Sequence, residues 1–173
     1  VINSTFTNTT SGNNGGAIYQ YGGSGVTVIN STFKDTTAAT NGGAIYRSGR
    51  NVTVTNSKFT NNSAGSQGAS IWTNDVLNVK DSTFNSPNAN GTAIIYISSS
   101  NKDVNLTNNS ITSNSLAIYN DGGNIRSPTT LTFNNLSVGI NVTTPLTATL
   151  TDDKGNIIGS TTNVTGKVGD NNV

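Results

Sequence analysis

At 173 residues the chain has room for one or two domains, yet only 32% of it is hydrophobic, 6% aromatic and 10% charged. Disordered chains couple low hydrophobicity to high charge; here both are low, so the few apolar residues can still build a core if they recur at regular places. A net charge of +1 without any run of Lys or Arg argues against nucleic acid or an anionic membrane as the main partner. The absence of Cys excludes a disulfide scaffold, and no apolar stretch approaches the length of a membrane span.

The chain opens on Val1, without Met and already inside a repeat, which predicts a longer protein with any secretion signal upstream. The string VINSTF at 1–6 returns at 28–33, then as VTNSKF at 54–59, VKDSTF at 79–84 and LTNNSI at 106–111. The anchors Phe6, Phe33, Phe59, Phe84 and Ile111 are separated by 27, 26, 25 and 27 residues. A weaker sixth copy, LTFNNL at 131–136, puts Leu136 in the anchor position 25 residues further on. A second motif keeps the same phase: GGAIY at 15–19 and 42–46, GASIW at 68–72, AIIY at 93–96 and LAIY at 116–119. Two motifs in phase make a solenoid the leading architecture.

Within each copy the apolar residues alternate, as in Val26, Val28 and Phe33 or Val52, Val54 and Phe59. Alternation of β-branched residues predicts half-buried strands, with Asn, Gly and Ser at the turns between them. A unit of about three short strands cannot bury its own apolar face, so the units are expected to stack about 4.8 Å apart around one continuous core. Asn3, Asn30, Asn56, Asp81 and Asn108 occupy one repeat position and are expected to form a buried ladder at a bend, passing amide hydrogen bonds between coils. The paired glycines of GGAI predict either a positive φ or close packing at the preceding turn.

One column of this pattern bears on function. The residue after the inward Ile is always aromatic: Tyr19, Tyr46, Trp72, Tyr96 and Tyr119. Period-two alternation places these rings on the outer face, in a stripe some 20 Å long. Such rings either shield the sheet by stacking on one another or form an amphipathic binding strip, with Trp72 at its centre. Both readings stand at this stage.

The pattern changes after Leu136. Alternating runs at 136–142, 146–151 and 157–164, with DDKGN between the last two, read as antiparallel hairpins of a β-sandwich. The expected organisation is a parallel β-helix over residues 1–136 and an incomplete immunoglobulin-like segment over 137–173.

The strings GGAI and FxxN (Phe59 to Asn62, with looser copies at Phe6, Phe33 and Phe84) resemble the polymorphic outer-membrane-protein repeats. These occur in chlamydial surface proteins and in adhesin-like proteins of methanogenic archaea, and the Asn/Thr-rich style is closer to the latter. The tail TATLTDDKGNIIG resembles the opening strands of bacterial immunoglobulin-like domains. The resemblance implies a right-handed parallel β-helix with a surface-adhesion role, no catalytic residues and no cofactor.

Parallel β-helices also include polysaccharide lyases and hydrolases, so a carbohydrate-active enzyme is the alternative. Such sites need clustered acids, and this chain has eight scattered Asp, no Glu and no His. Lys34, Asp35, Arg47 and Arg50 on neighbouring turns come nearest, and are read as a solvated surface. Asp152, Asp153 and Asn156 lack the ligand spacing of a calcium loop and are read as a hairpin turn, as is the stretch from Asp121 to Asn124; no metal site is expected. Asn51, Asn61 and Asn90 are the sequons best placed for glycosylation, the ladder asparagines being expected to be buried. The expected protein is an extracellular, cell-surface stalk and contact module. Its partners would be a glycan or protein on another cell, or its own copies end to end, with neither nucleic acid nor membrane insertion involved.

Overall fold

The computed structural model describes residues 1–86, 93–99, 102–112, 116–120 and 125–126, and beyond these the backbone of strands at 131–134, 140–142, 146–151 and 157–164. Repeats stack in parallel and in register. Thr5–Thr7, Thr32–Lys34, Lys58–Thr60, Thr83–Asn85, Asn109–Thr112 and Leu131–Asn134 follow one another in a six-stranded phenylalanine sheet. A valine sheet contains Val26–Ile29, Val52–Thr55, Leu77–Lys80, Val104–Thr107 and Ile125–Arg126. A tyrosine sheet contains Ile18–Tyr21, Ile45–Ser48, Ile71–Thr73, Ile95–Ile97, Ile118–Asn120 and Ile140–Val142. A narrow fourth sheet joins Thr10–Ser11, Thr37–Ala38 and Ser63–Ala64.

In-register pairing places like residues in columns. Phe33 lies between Phe6 and Phe59, and Phe59 between Phe33 and Phe84. Their rings stack face to face at 4.9, 4.8 and 4.6 Å, the spacing that the strand repeat imposes. Val28, Val52, Val54, Ile45, Ile71 and Leu77 fill the rest of the interior without exposure. Each coil thus contributes a few apolar side chains to a core that only its neighbours close.

The corners are set by residues in the left-handed region. Asn3, Asn30, Asn56, Asp81 and Asn108 have φ of 47° to 54°, and Asn8, Asp35 and Asn61 repeat this at a second corner with φ of 52° to 55°. Asn and Asp are the side-chain-bearing residues that tolerate this conformation best. The glycine pair divides its labour. Gly42 takes φ 66°, while a Cβ on Gly43 would meet the Ala69 carbonyl oxygen of the next coil at 2.1 Å. The first glycine makes the turn and the second lets the coils close.

The asparagine ladder differs from expectation: its members are exposed, not buried. Two steps carry the amide relay, Asn56 Nδ2 donating to Asn30 Oδ1 and Asn108 Nδ2 to Asp81 Oδ1, both at 2.8 Å. The corner turns these side chains towards solvent and the following residue inward. The buried polar ladder is therefore serine. The Ser31 amide donates to Ser57 Oγ at 3.1 Å, the Ser57 amide to Ser82 Oγ at 3.1 Å, and the Ser82 amide to Asn109 Oδ1 at 2.9 Å. Each of these serine hydroxyls in turn donates to a carbonyl two residues back, as Ser57 does to Thr55 at 2.8 Å. Ser57→Ala leaves the buried Ser31 amide without an acceptor and is expected to cost about 1–3 kcal/mol in urea unfolding. An unchanged midpoint would show that the ladder contributes nothing.

Two features depart from the sequence reading at the C-terminal end. Ile111 pairs with Phe133, not Leu136, because the alternation of the strand and not the string LT sets the register. Ile140–Val142 pairs in parallel with Ile118–Asn120, so a strand of the solenoid lies beyond residue 136 in a run read as part of a hairpin. Leu146–Thr151 and Ile157–Val164 do pair antiparallel. The turns read at 121–124 and 152–156 lie outside the described residues.

Candidate binding surface

Ile45, Ile71, Ile95 and Ile118 are fully buried in the tyrosine sheet, with Ile18 packed against the same core. Strand alternation then sends the next residue outward, and the register aligns Tyr19, Tyr46, Trp72, Tyr96 and Tyr119 in one column. The rings stack nearly parallel: Tyr19 on Tyr46 at 5.2 Å, Tyr46 on Trp72 at 4.4 Å and Tyr96 on Tyr119 at 4.4 Å. Tyr19 is 57% exposed, and Tyr46, Tyr96 and Tyr119 are half-buried.

Trp72 departs from its expected place as an exposed centre. Only 9% of it reaches solvent. The indole stacks on Tyr46, and its Nε1–H donates to Gln67 Oε1 at 3.0 Å, so the polar edge is satisfied by the protein. The stripe is wet at its tyrosines and nearly dry at its tryptophan.

The Tyr46 phenol is held above its ordinary value of 10.0, mainly because burial disfavours the phenolate. The neighbouring Tyr19 and Tyr21 hydroxyls add to the shift, and a hydrogen bond with Ser48 opposes it. Tyr21 shares the outward phase of Tyr19 on the same strand and is 75% exposed. Tyr21 was missed because it falls outside the repeated pentapeptide, although the alternation Ile18-Tyr19-Gln20-Tyr21 carries it outward as surely as Tyr19.

The remaining singled-out residues separate. Lys34 and Asp35 form an exposed ion pair at 3.9 Å at one end of a phenylalanine-sheet strand. Arg47, read as solvated, is fully buried on the tyrosine sheet, because its place two residues after Ile45 gives it the inward phase. Arg50 is exposed in the loop that follows. The structure thus does not gather these four into one site. Asn51 and Asn61 are exposed, and Asn90 lies outside the described residues. The ladder sequons Asn3, Asn30 and Asn108 are equally open, contrary to the expectation that burial would close them. Among the described residues, no three His, Cys, Asp or Glu side chains gather as metal ligands, and no helix is long and apolar enough to cross a membrane.

No curated protein and no solved structure matches the chain significantly. A family described as the right-handed β-helix region matches residues 1–144, which takes in every parallel strand described above. On that match and on the parallel, in-register coils, the chain belongs to the right-handed β-helix family.

Proposed function

We propose that the chain is a non-enzymatic, adhesin-like module of the extracellular surface, in which the solenoid is a rigid stalk and the tyrosine face makes the contacts. The observation that carries this reading is the outward aromatic column, half-exposed at Tyr19, Tyr46, Tyr96 and Tyr119 on a surface otherwise rich in Ser, Thr and Asn. Flat amphipathic rings on a rigid sheet offer contact area with little entropy to lose on binding. The resemblance to methanogen adhesin-like proteins supports the same reading, as does the resemblance of the tail to the opening of an immunoglobulin-like domain. The partner is a glycan or protein on another cell, and end-to-end contact between copies is a second use of the same stalk. Exposed Asn51 and Asn61 are the proposed glycosylation sites.

The test uses fluorescent beads coated with the chain and scored on a panel of immobilised glycans and whole cells. Tyr19→Ser with Tyr46→Ser is expected to lower retention by about tenfold while the parallel-sheet circular dichroism persists. Unchanged retention in this variant, or no retention of the parent on any surface, would overturn the reading. Release of new reducing ends from a polysaccharide in the panel would instead establish the carbohydrate-active enzyme.

A further inference from the structure

A shallow polar pocket opens where the tyrosine sheet hands over to the valine sheet, lined by loop 22–25 of one coil and loop 49–51 of the next. Its floor is mostly glycine backbone, and Arg50 stands in its wall. The buried guanidinium of Arg47 lies directly behind that floor. Its Nη2 donates to the carbonyls of Ser24 at 2.8 Å and Gly23 at 3.4 Å, and its Nη1 to the Ser48 carbonyl. A Cβ on Gly49 would sit 3.8 Å from Nη1.

Among the described residues no carboxylate neutralises this cation. Its neighbours in the inward column are Gln20 and Thr73, both uncharged, and Nε has no partner. Among the described residues no carboxylate pairs with Arg47 or Arg50, and Asp75 on the following loop is paired with Lys102 at 3.4 Å. A buried guanidinium held only by carbonyl dipoles leaves positive potential at the surface above it. With Arg50 in its lining, the pocket presents one exposed cation beside four glycines, Ser24 and Asn51, and the buried charge of Arg47 lies behind them. Tyr21, at 75% exposure, ends its strand next to Gly22 of the pocket and supplies a flat apolar face.

We infer that this pocket binds the oxyanion of an acidic sugar, a carboxylate or a sulfate, with Arg50 pairing the anion and Tyr21 lying against the ring. The inference deepens the reading of the tyrosine face as a contact surface and rests on it through Tyr21 alone. A guanidinium forms paired hydrogen bonds with either oxyanion, and a sugar ring sets its apolar CH face on an aromatic plane.

The experiment follows backbone amide shifts of the whole chain at low salt, titrated separately with glucuronate, glucose 6-sulfate, glucose and acetate. At least one acidic sugar is expected to shift the amides of Gly22, Gly23, Gly25 and Gly49, and the tighter of the two identifies the anion. Glucose is expected to leave them in place and acetate to bind more weakly than the acidic sugar. Arg50→Gln, at an exposed position that leaves the core intact, is expected to weaken binding about tenfold, and added salt to weaken it in the parent. Binding of glucose as tight as that of the acids, binding of acetate as tight as that of the sugars, or an Arg50→Gln variant that binds like the parent would each overturn the inference. Loss of bead retention in the tyrosine variant says nothing against the pocket if these shifts persist, and intact retention without the shifts removes the pocket alone.

Discussion

Phe59→Asp is expected to abolish cooperative folding of the stack or to lower its stability by about 4 kcal/mol or more. Phe59 is fully buried, with stacked rings at 4.8 Å on one side and 4.6 Å on the other. The substitution removes both ring contacts, leaves a cavity between Phe33 and Phe84, and places a carboxylate in a column of stacked phenyl rings. Coils are stabilised by their neighbours, so the loss spreads in both directions. The check is a urea melt followed by circular dichroism and by the fluorescence of Trp72, one coil-segment away in sequence. A variant that melts like the parent would remove Phe59 from the core and with it the register of the phenylalanine sheet.

Gly43→Val is expected to be nearly as damaging, by about 3 kcal/mol, through a different cause. Its Cβ would lie 2.1 Å from the Ala69 carbonyl oxygen and 2.3 Å from that of Ser63, both rigid backbone atoms. The second and third coils must then separate, which breaks parallel hydrogen bonds such as that from the Gly43 amide to the Gly68 carbonyl at 3.0 Å. Gly12→Ala is the control. No atom lies within 4 Å of a Cβ there, so its melt is expected within about 0.5 kcal/mol of the parent. Equal melting temperatures for the two variants would show that the coils do not approach as closely as the structure has them.

The columns of Phe, Val and Ile were legible because a solenoid writes its core as a period, and two motifs in phase locate both strand faces. The paired glycines were legible from their recurrence at the turn before the Ile, and the outward aromatics from the alternation. What stayed hidden were effects that a period alone does not encode. The corner asparagines share a column whether their side chains point in or out; only the positive φ reveals that they turn outward, leaving Ser31, Ser57 and Ser82 to serve the buried amides. Arg47 read as solvated by its charge, yet its strand phase carries it inward, onto the carbonyls of Ser48, Gly23 and Ser24. Trp72 followed its phase outward and is still nearly dry, with Tyr46 stacked on its ring and Gln67 holding its polar edge. At the sixth repeat, string similarity pointed to Leu136, whereas strand alternation selects Phe133 as the partner of Ile111.

Spacing between coils tests the account most directly, since the core columns, the aromatic face and the two-coil pocket all follow from in-register stacking. Thr27, Thr53, Asn78 and Asn105 are successive Cα partners along the valine sheet and are not buried. The chain has no Cys, so nitroxide labels can be placed on engineered Cys pairs without a background. Labels pairing Thr27 with Thr53, Asn78 and Asn105 in turn are predicted to report separations that grow by one strand spacing per step, about 5, 10 and 14 Å. A pair Thr27–Asn105 as close as Thr27–Thr53, or separations without that progression, would contradict the parallel in-register stack and everything built on it.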